Sequence, residues 1–253
     1  MEQIGLKGHG ISPHAATEPF LLFTKEAIAQ MSPAYVPTTN DLALTTSPLT
    51  YDAWKSPEVL ARISEVAGID VVHSIDFEIA NINISVRDEK SKVEHAVDLV
   101  SSEELPAVAW HHDSFQFVCV TMLSDCTGMV GGETALRTPS GEIMKVRGPA
   151  MGTAVVMQGR YIEHQALKAL GGCERISMVT CFRAKSPHVK DETVLVGVRG
   201  ISDISKLYTQ YTEYRLEILG ERIRDRLRKD REPGGCEEKQ FIESILTEIQ
   251  EIG

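Results

Sequence analysis

The stretch HHDSFQFVCVTML, residues 111–123, combines ligand-type side chains with a segment that favours a β-strand. Successive strand residues face opposite sides, so His111 and Asp113 are expected to point into one cavity while His112 points away. The residues that follow, 115–123, are rich in the β-branched and aromatic types that strands prefer. The stretch therefore predicts a polar site attached to a β-sheet.

A third ligand-type residue follows at a distance. His164 lies 51 residues beyond Asp113, after an apolar run and a turn. Two imidazoles and one carboxylate can hold one face of a metal and leave other positions open, which is the ligand set of non-haem Fe(II) oxygenases. The alternative for any single histidine is an exposed or packed core position. Taken together, His111, Asp113 and His164 predict a metal site.

Arg175-Ile176-Ser177 stands eleven residues after His164, at the head of a predicted strand. Arg175 and Ser177 are two apart, so both side chains face the same side. A buried arginine needs an anionic partner, and its planar fork suits a carboxylate. The sequence therefore predicts a site for an anionic cosubstrate. The alternative is a salt bridge from Arg175 to Glu174 or Glu133.

Several short strand-like runs are separated by glycine and proline turns. This texture predicts a mainly β fold with flanking α-helices and a double-sheet jelly-roll core. The predicted strands cover much of residues 71–86 and then residues 107–110, 115–123, 133–137, 141–146, 152–157 and 176–183.

Helical spacing predicts two N-terminal helices, over residues 18–31 and 51–67. Asp52 or Ser56 could cap the second helix, and Gly68 could end it.

Helical spacing also dominates the C-terminal end of the chain. We expect one domain over residues 1–253, with an N-terminal helical region (about 1–68), a β core (about 69–185) and C-terminal helices (about 204–252). The C-terminal helices carry apolar stripes that either brace the sheet or bind another subunit. Bracing is the favoured interpretation, and a homodimer through these helices is the alternative.

Charge and cysteine content limit the class of protein. The 253 residues carry a net charge of −10, which disfavours nucleic acid and anionic membranes as partners. We find no signal segment and no apolar run of bilayer length. Five scattered cysteines without a CxxC pair argue against disulfides and zinc-thiolate sites. A cytoplasmic protein that acts on a small molecule is therefore expected.

These motifs resemble a known family, the Fe(II)- and 2-oxoglutarate-dependent oxygenases, whose fold is a double-stranded β-helix. The family pattern is His-x-Asp/Glu, a distant second His and then Arg-x-Ser. The likeness extends to a fungal group with the motifs HHDS, GGETALRT and GRYIxHQAL, and it covers roughly residues 107–231. It implies an oxygenase of fungal secondary metabolism.

The resemblance also implies a role for each site residue. His111, Asp113 and His164 would ligate Fe(II), while Arg175 and Ser177 would bind the distal carboxylate of 2-oxoglutarate. O2 would be the oxidant in this dioxygenase. Relatives often use an asparagine or tyrosine of an earlier strand as a further cosubstrate contact. The candidates for that contact here are Asn81 and Asn83.

The reaction implied is hydroxylation, desaturation or oxidative cyclisation of a small organic molecule. Halogenating relatives lack the carboxylate ligand, so Asp113 argues against halogenation. A substrate carboxylate could meet a basic or phenolic side chain near the site, although a salt bridge or a surface role is the favoured interpretation of each. The residues in question are Arg137, Arg147, Arg160 and Tyr161.

Two other functions fit part of the pattern. One is a metalloenzyme of the same fold that does not use 2-oxoglutarate, against which Arg175 and Ser177 argue. The other is a non-catalytic metal-binding or interaction protein that keeps the fold and uses its C-terminal helices, against which the complete ligand set argues.

Overall fold

The structure is a computed structural model, and it describes residues 1–31, 47–85, 106–170, 175–229 and 238–252. The helices are α1 (Lys25–Met31), α2 (Pro48–Lys55), α3 (Pro57–Ala67), α4 (Ile204–Lys229) and α5 (Glu238–Ile252), with short 3-10 turns at Glu2–Ile4 and Asp76–Glu78. The strands are β1 (Phe20–Leu21), β2 (Val71–His73), β3 (Asn81–Ser85), β4 (Pro106–His111), β5 (Phe117–Met122), β6 (Val130–Gly131), β7 (Thr134–Arg137), β8 (Ile143–Val146), β9 (Thr153–Met157), β10 (His164–Leu167), β11 (Ala169–Leu170) and β12 (Arg175–Ala184).

The main sheet is antiparallel and is organised around its longest strand, β12. Its order is β1-β9-β5-β12-β2, and β3 pairs with another part of β12. Along one edge of β12, Arg175 to Val179 pair with β3, while Phe182 to Ala184 pair with β2. The strand that begins with the predicted anion-binding residues therefore lies at the centre of the sheet.

A second antiparallel sheet has the order β4-β10-β7-β8, and a small ribbon joins β11 to β6. This sheet carries both candidate histidine ligands, on β4 and β10. Val118 and Met157 of the main sheet pack with Leu136 of the second sheet in one apolar cluster. The two sheets therefore share a core, and the chain is mainly antiparallel β-structure with flanking helices.

The opposite face of the main sheet is covered by the N-terminal helices. Trp54 is fully buried there, and its ring lies 5.4 Å from that of Phe23 and 6.0 Å from that of Phe182. Ile63 of α3 and Cys119 of β5 are also fully buried in this cluster. Since burial of large apolar side chains drives folding, the helices stabilise the sheet that holds the site.

Helix α4 braces the structure from another side. Its residues Leu207, Tyr211 and Ile218 pack against Phe77 and Phe115 in a separate apolar cluster. This confirms the bracing role favoured for the first C-terminal helix. Helix α5 contacts α4 through Arg222, which donates to the Ser244 hydroxyl, and through Arg226 over the Phe241 ring.

The N-terminal region differs from the sequence-based expectation. Phe20 and Leu21 form an edge strand beside β9, and the first helix begins only at Lys25. The single helix predicted near residues 51–67 is two helices, because Ser56 adopts an extended backbone before Pro57. Proline lacks the N–H needed inside a helix but suits a first turn.

Two compositional expectations can be compared with the described residues. No helix within the described ranges is both long and apolar enough to cross a bilayer. Cys119, Cys126 and Cys181 are buried and form no disulfide with one another. Cys173 and Cys236 lie outside the described residues.

Candidate metal centre and anion pocket

The two candidate histidine ligands are brought together by strand pairing. His164 opens β10 and lies directly opposite His111, the last residue of β4. Their ring centroids are 4.3 Å apart. Residues directly opposite each other on antiparallel strands have neighbouring side chains. The register of these two strands therefore converts a separation of more than fifty residues into one site.

Asp113 reaches the same site from just beyond the strand. β4 ends at His111, so Asp113 is not a strand residue, and its N–H donates to the Gly159 carbonyl at 2.9 Å. Its Oδ1 lies 3.5 Å from His111 Nε2, and its Oδ2 lies 3.4 Å from His164 Nε2. All three ligand atoms fall within 4.8 Å of one another.

Both imidazoles are oriented by their own backbone neighbourhood. His111 Nδ1 lies 2.7 Å from the Ala109 carbonyl, and His164 Nδ1 lies 2.9 Å from the Ile162 carbonyl. A carbonyl can only accept, so each Nδ1 carries the hydrogen. Such bonds fix the tautomer that presents Nε2 to a metal.

The donor set fits a cation. With Nδ1 protonated, neutral imidazoles turn their Nε2 lone pairs towards the Asp113 carboxylate, and these lone pairs repel the carboxylate unless a proton or a metal lies between them. Burial alone would raise the pKa of Asp113, but its contacts with His111 and His164 lower that pKa well below the usual range. Asp113 Oδ2 is buried and makes no hydrogen bond to the described residues. A divalent metal would satisfy all three side chains.

Histidine 112 takes no part in this cluster. Its side chain is exposed, whereas His164 is buried. Because β4 ends at His111, strand alternation does not account for this exposure. The ligand group found among the described residues consists of His111, Asp113 and His164.

Gly159 contributes to the candidate metal centre, although the sequence indicated only a turn at this position. A Cβ atom at this position would lie 1.8 Å from Asp113 Oδ2 and 2.7 Å from Asp113 Cγ. Its carbonyl also holds the Asp113 N–H. No sequence pattern separates Gly159 from the other turn glycines, because its role depends on which segment it meets in space.

Arg175 and Ser177 form the predicted pair at the start of β12. Arg175 Nε donates to the Gly132 carbonyl at 2.9 Å, and one of its terminal nitrogens donates to Ser177 Oγ at 3.0 Å. Both residues are buried, and burial lowers the pKa of Arg175. Gly132 leaves room for this contact, since a Cβ there would lie 3.2 Å from Arg175 Cδ.

No carboxylate among the described residues forms an ion pair with Arg175. Glu133, one of the partners considered from sequence, instead lies 3.6 Å from Arg147, and Glu174 is outside the described residues. Arg175 and Arg147 both border a cavity of about 10 Å³ between the sheets. A buried guanidinium without an anion is costly, so this cavity is a candidate anion pocket. Its other lining residues are Val120, Met122, Thr134, Val146, Gly148, Val155 and Met157.

The candidate contacts of the earlier strand also face this side. Asn83 pairs with Ser177 and Asn81 pairs with Val179 across β3 and β12. Paired residues share a face of the sheet. Asn81 donates to Glu78 Oε2 at 2.8 Å. Asn83, opposite Ser177, is therefore the better positioned of the two for a further contact.

The other side chains considered near the site have separate roles. Arg137 forms a 2.8 Å ion pair with Glu163 and lies over the Trp110 ring. Arg147 donates to the carbonyls of Met129 and Gly131. These contacts agree with the structural interpretation of both arginines, and Arg147 in addition borders the candidate anion pocket.

A buried carboxyl group near Asp113 has no signal in the sequence. Glu78 is 4% exposed, and its Oε2 contacts Asn81 and the Cys181 thiol. Burial, together with the negative charge of Asp113, raises the pKa of Glu78 to about 7. Glu78 is a buried acid that is protonated over much of the pH range in which ordinary carboxyl groups are charged.

Comparison with known proteins gives partial structural likenesses at low identity. No family model matches this chain, and no curated protein does. An oxidoreductase of the 2OG-Fe(II) oxygenase family from Burkholderia pseudomallei shares 15% identity at a TM-score of 0.36, covering 52% of this chain and 53% of that chain. The epimerase SnoN from nogalamycin biosynthesis, non-heme and alpha ketoglutarate dependent, shares 12% identity at a TM-score of 0.42, covering 68% of this chain and 77% of that chain.

A third similar structure is CytC3 with Fe(II) and alpha-ketoglutarate, which shares 11% identity at a TM-score of 0.40. That match covers 78% of this chain and 85% of CytC3. The chain spans about half the length of the Burkholderia protein.

Proposed function

We propose that this chain is a non-haem Fe(II)- and 2-oxoglutarate-dependent oxygenase that oxidises a small organic molecule. The observation that best supports this proposal is that two sites lie on facing sheets. Ligand atoms of His111, Asp113 and His164 meet within 4.8 Å, and Arg175 is buried across the shared core without a carboxylate partner among the described residues. Metal ligands and an anion site are both needed for a keto-acid cosubstrate.

Each protein group has a defined task in this proposal. His111, Asp113 and His164 hold the ferrous ion, and the carbonyls of Ala109 and Ile162 keep the imidazoles turned towards it. The Arg175 fork binds the distal carboxylate of 2-oxoglutarate with the Ser177 hydroxyl beside it. Bound iron supplies the redox chemistry for activating O2.

The proposed reaction balances with a named oxidant and reductant. In a hydroxylation, O2 is reduced, 2-oxoglutarate is oxidised to succinate with release of CO2, and one oxygen atom enters a substrate C–H bond. Desaturation or ring closure uses the same cosubstrates and releases water. Asp113 occupies the carboxylate position of the ligand set, which favours these outcomes over halogenation.

Cosubstrate binding requires movement in the anion pocket. A cavity of about 10 Å³ holds roughly one water molecule. Met122 and Met157 line it, and methionine side chains adapt readily because they are unbranched. We infer that 2-oxoglutarate displaces these side chains when it reaches Arg175.

The wider architecture is part of the proposal. We infer a double-stranded β-helix core near residues 69–185 within one domain of residues 1–253. The two antiparallel sheets share a core, and this arrangement supports the inferred β-helix. We also infer a cytoplasmic enzyme of fungal secondary metabolism that binds no nucleic acid. The net charge of −10 and the buried free thiols agree with this setting.

A homodimer through the C-terminal helices is a further part of the proposal. Ile242, Leu246 and Ile249 of α5 lie on one helical stripe and are each at least half exposed. An exposed apolar stripe of this kind favours helix–helix association. Leu246→Asp should convert a dimer to a monomer in analytical ultracentrifugation. A monomeric wild type would disprove this assembly.

Succinate formation tests the proposed activity. Wild type, His111→Ala and Arg175→Ala are incubated with 2-oxoglutarate and Fe(II) under air, and Fe(II) binding is measured separately by calorimetry. We expect His111→Ala to lose affinity for Fe(II). We expect Arg175→Ala to lose affinity for 2-oxoglutarate and to keep its affinity for Fe(II). Wild-type protein that binds neither Fe(II) nor 2-oxoglutarate would refute the proposal.

A further inference from the structure

A second and larger cavity lies beside the segment that holds Asp113. It measures about 550 Å³ and is formed by residues 190–199 together with helix α4. This volume is within the range of small-molecule sites. We name it the 190s cleft. Its charged lining residues are Arg160, Lys190, Asp191, Glu192, Arg199 and Arg215.

The 190s cleft is lined by more positively charged than negatively charged side chains. Four cationic side chains line it against two carboxylates. Lys190 pairs with Glu192 at 2.8 Å, and buried Arg215 lies 3.8 Å from Asp191. Such a concentration of positive charge is unexpected on a chain with a net charge of −10 and attracts anions.

Two guanidinium groups remain for a ligand. Arg160 lines the cleft and donates its Nε–H to the Glu192 carbonyl at 2.8 Å, and it forms no ion pair with a described residue. Arg199 is exposed and lies 5.8 Å from the Tyr208 ring centroid, and it forms no ion pair with a described residue. Arginine forks suit carboxylate and phosphate groups. The rings of Tyr208 and Tyr211, which also line the cleft, add apolar surface next to the two arginines.

Hydrogen bonds connect both walls of the 190s cleft to the segment that carries Asp113. Arg160 directly follows Gly159, whose carbonyl accepts the Asp113 N–H at 2.9 Å. On the other wall, the Val194 N–H donates to the carbonyl of Ser114 at 2.9 Å. Arg160 is therefore one residue along the chain from Gly159, and the segment that carries Arg199 is hydrogen-bonded to Ser114, the neighbour of Asp113.

We propose that the 190s cleft binds the carboxylate or phosphate group of a small organic substrate, with Arg160 and Arg199 as its specificity-determining residues. Assignment of the ligand as substrate rests on the proposed function, whereas binding of an organic anion by the cleft does not. A separate effector anion would use the same chemistry, and the distance to the metal distinguishes the two.

Ligand-observed NMR with phenyl phosphate and benzoate tests the cleft. We expect binding to wild type, and about tenfold weaker binding to Arg160→Gln and to Arg199→Gln, because each loses a charged hydrogen bond. Arg62→Gln is the matched control, since Arg62 pairs with Glu65 on the distant helix α3. Arg175→Ala should keep phenyl phosphate binding while losing 2-oxoglutarate. Uncharged benzyl alcohol should not bind.

The proposal is overturned if neither anion binds to wild type, or if binding is unchanged in the Arg160→Gln/Arg199→Gln double variant. A second measurement adds Mn(II), whose paramagnetism broadens the signals of nearby ligands. Broadening of bound phenyl phosphate that disappears in His111→Ala supports a substrate position. Arginine-dependent binding without broadening, in protein shown to hold Mn(II), overturns the substrate assignment. Failure of Mn(II) to bind would count against the proposed metal centre alone.

Discussion

Asp113 and Gly159 approach so closely that a methyl group on Gly159 would lie 1.8 Å from the Asp113 Oδ2 atom. The same glycine accepts the Asp113 N–H through its carbonyl. One backbone position thus fixes both the main chain and the side chain of a candidate ligand. This contact links the turn after β9 to the end of β4, two segments separated by more than forty residues.

The first prediction concerns this contact. Gly159→Ala should displace the Asp113 carboxylate and weaken Fe(II) binding at least tenfold, as changes to the supports of metal ligands usually do. Calorimetric titration with Fe(II) measures the effect, and circular dichroism checks the fold. Gly200→Ala is the control, because a Cβ there meets no atom within 4 Å. Unchanged affinity in Gly159→Ala would show that Asp113 is not a ligand.

The second prediction concerns Arg175. Arg175→Lys keeps the positive charge but loses the planar fork and the Nε bond to the Gly132 carbonyl. We expect 2-oxoglutarate affinity to fall about tenfold or more, from the loss of charged hydrogen bonds, with Fe(II) affinity unchanged. Arg62→Lys provides the control at an exposed ion pair. Equal 2-oxoglutarate affinity in Arg175→Lys and wild type would argue against a bidentate contact.

The third prediction concerns the pH dependence of stability. The pKa of Glu78 is about 7 in the folded protein against an ordinary 4.5, chiefly because of burial. Between these values the unfolded chain releases the proton and the folded chain keeps it, so stability falls as pH rises from 4.5 through 7. Glu78→Gln removes this loss. Relative to wild type, its free energy of unfolding should improve by up to about 3 kcal/mol over that interval.

Urea unfolding of the metal-free protein at pH 5 and pH 8 measures this difference. Glu142→Gln serves as the control, because Glu142 is exposed. Parallel pH profiles for Glu78→Gln and wild type would contradict a buried, protonated Glu78.

The fourth prediction concerns the cap of α3. Ser56 Oγ accepts the Val59 N–H at 3.3 Å. Ser56→Ala should destabilise the protein by about 1 kcal/mol, which lowers the Tm by about 2–4 °C in a chain of this size. The control is Ser205→Ala, an exposed serine in the first turn of α4. Equal melting temperatures for the two variants would show that the Ser56 cap contributes nothing.

Local patterns were sufficient for several elements. Apolar spacing and the Ser56 and Gly68 signals predict the end of the N-terminal helical region, and Gly68 does adopt a left-handed backbone with φ 71°. The strand-like runs over residues 115–123 and 176–183 predict β5 and β12. The divided helix at Ser56 and the edge strand at Phe20 were not predicted, since pairing with β9 outweighed helical spacing there.

Residue types along the chain are enough to recognise the chemical groups at the site: two imidazoles, one carboxylate, and an arginine with a serine two residues later. These are local properties, because residue type and strand alternation can be recognised along the chain. The residues that these side chains contact, in contrast, depend on the folded structure. Pairing of His111 with His164, the closeness of Gly159 to Asp113 and the burial of Glu78 all depend on contacts between distant segments. Such contacts follow from the register of the sheets and the packing of the core, which no short stretch of sequence encodes.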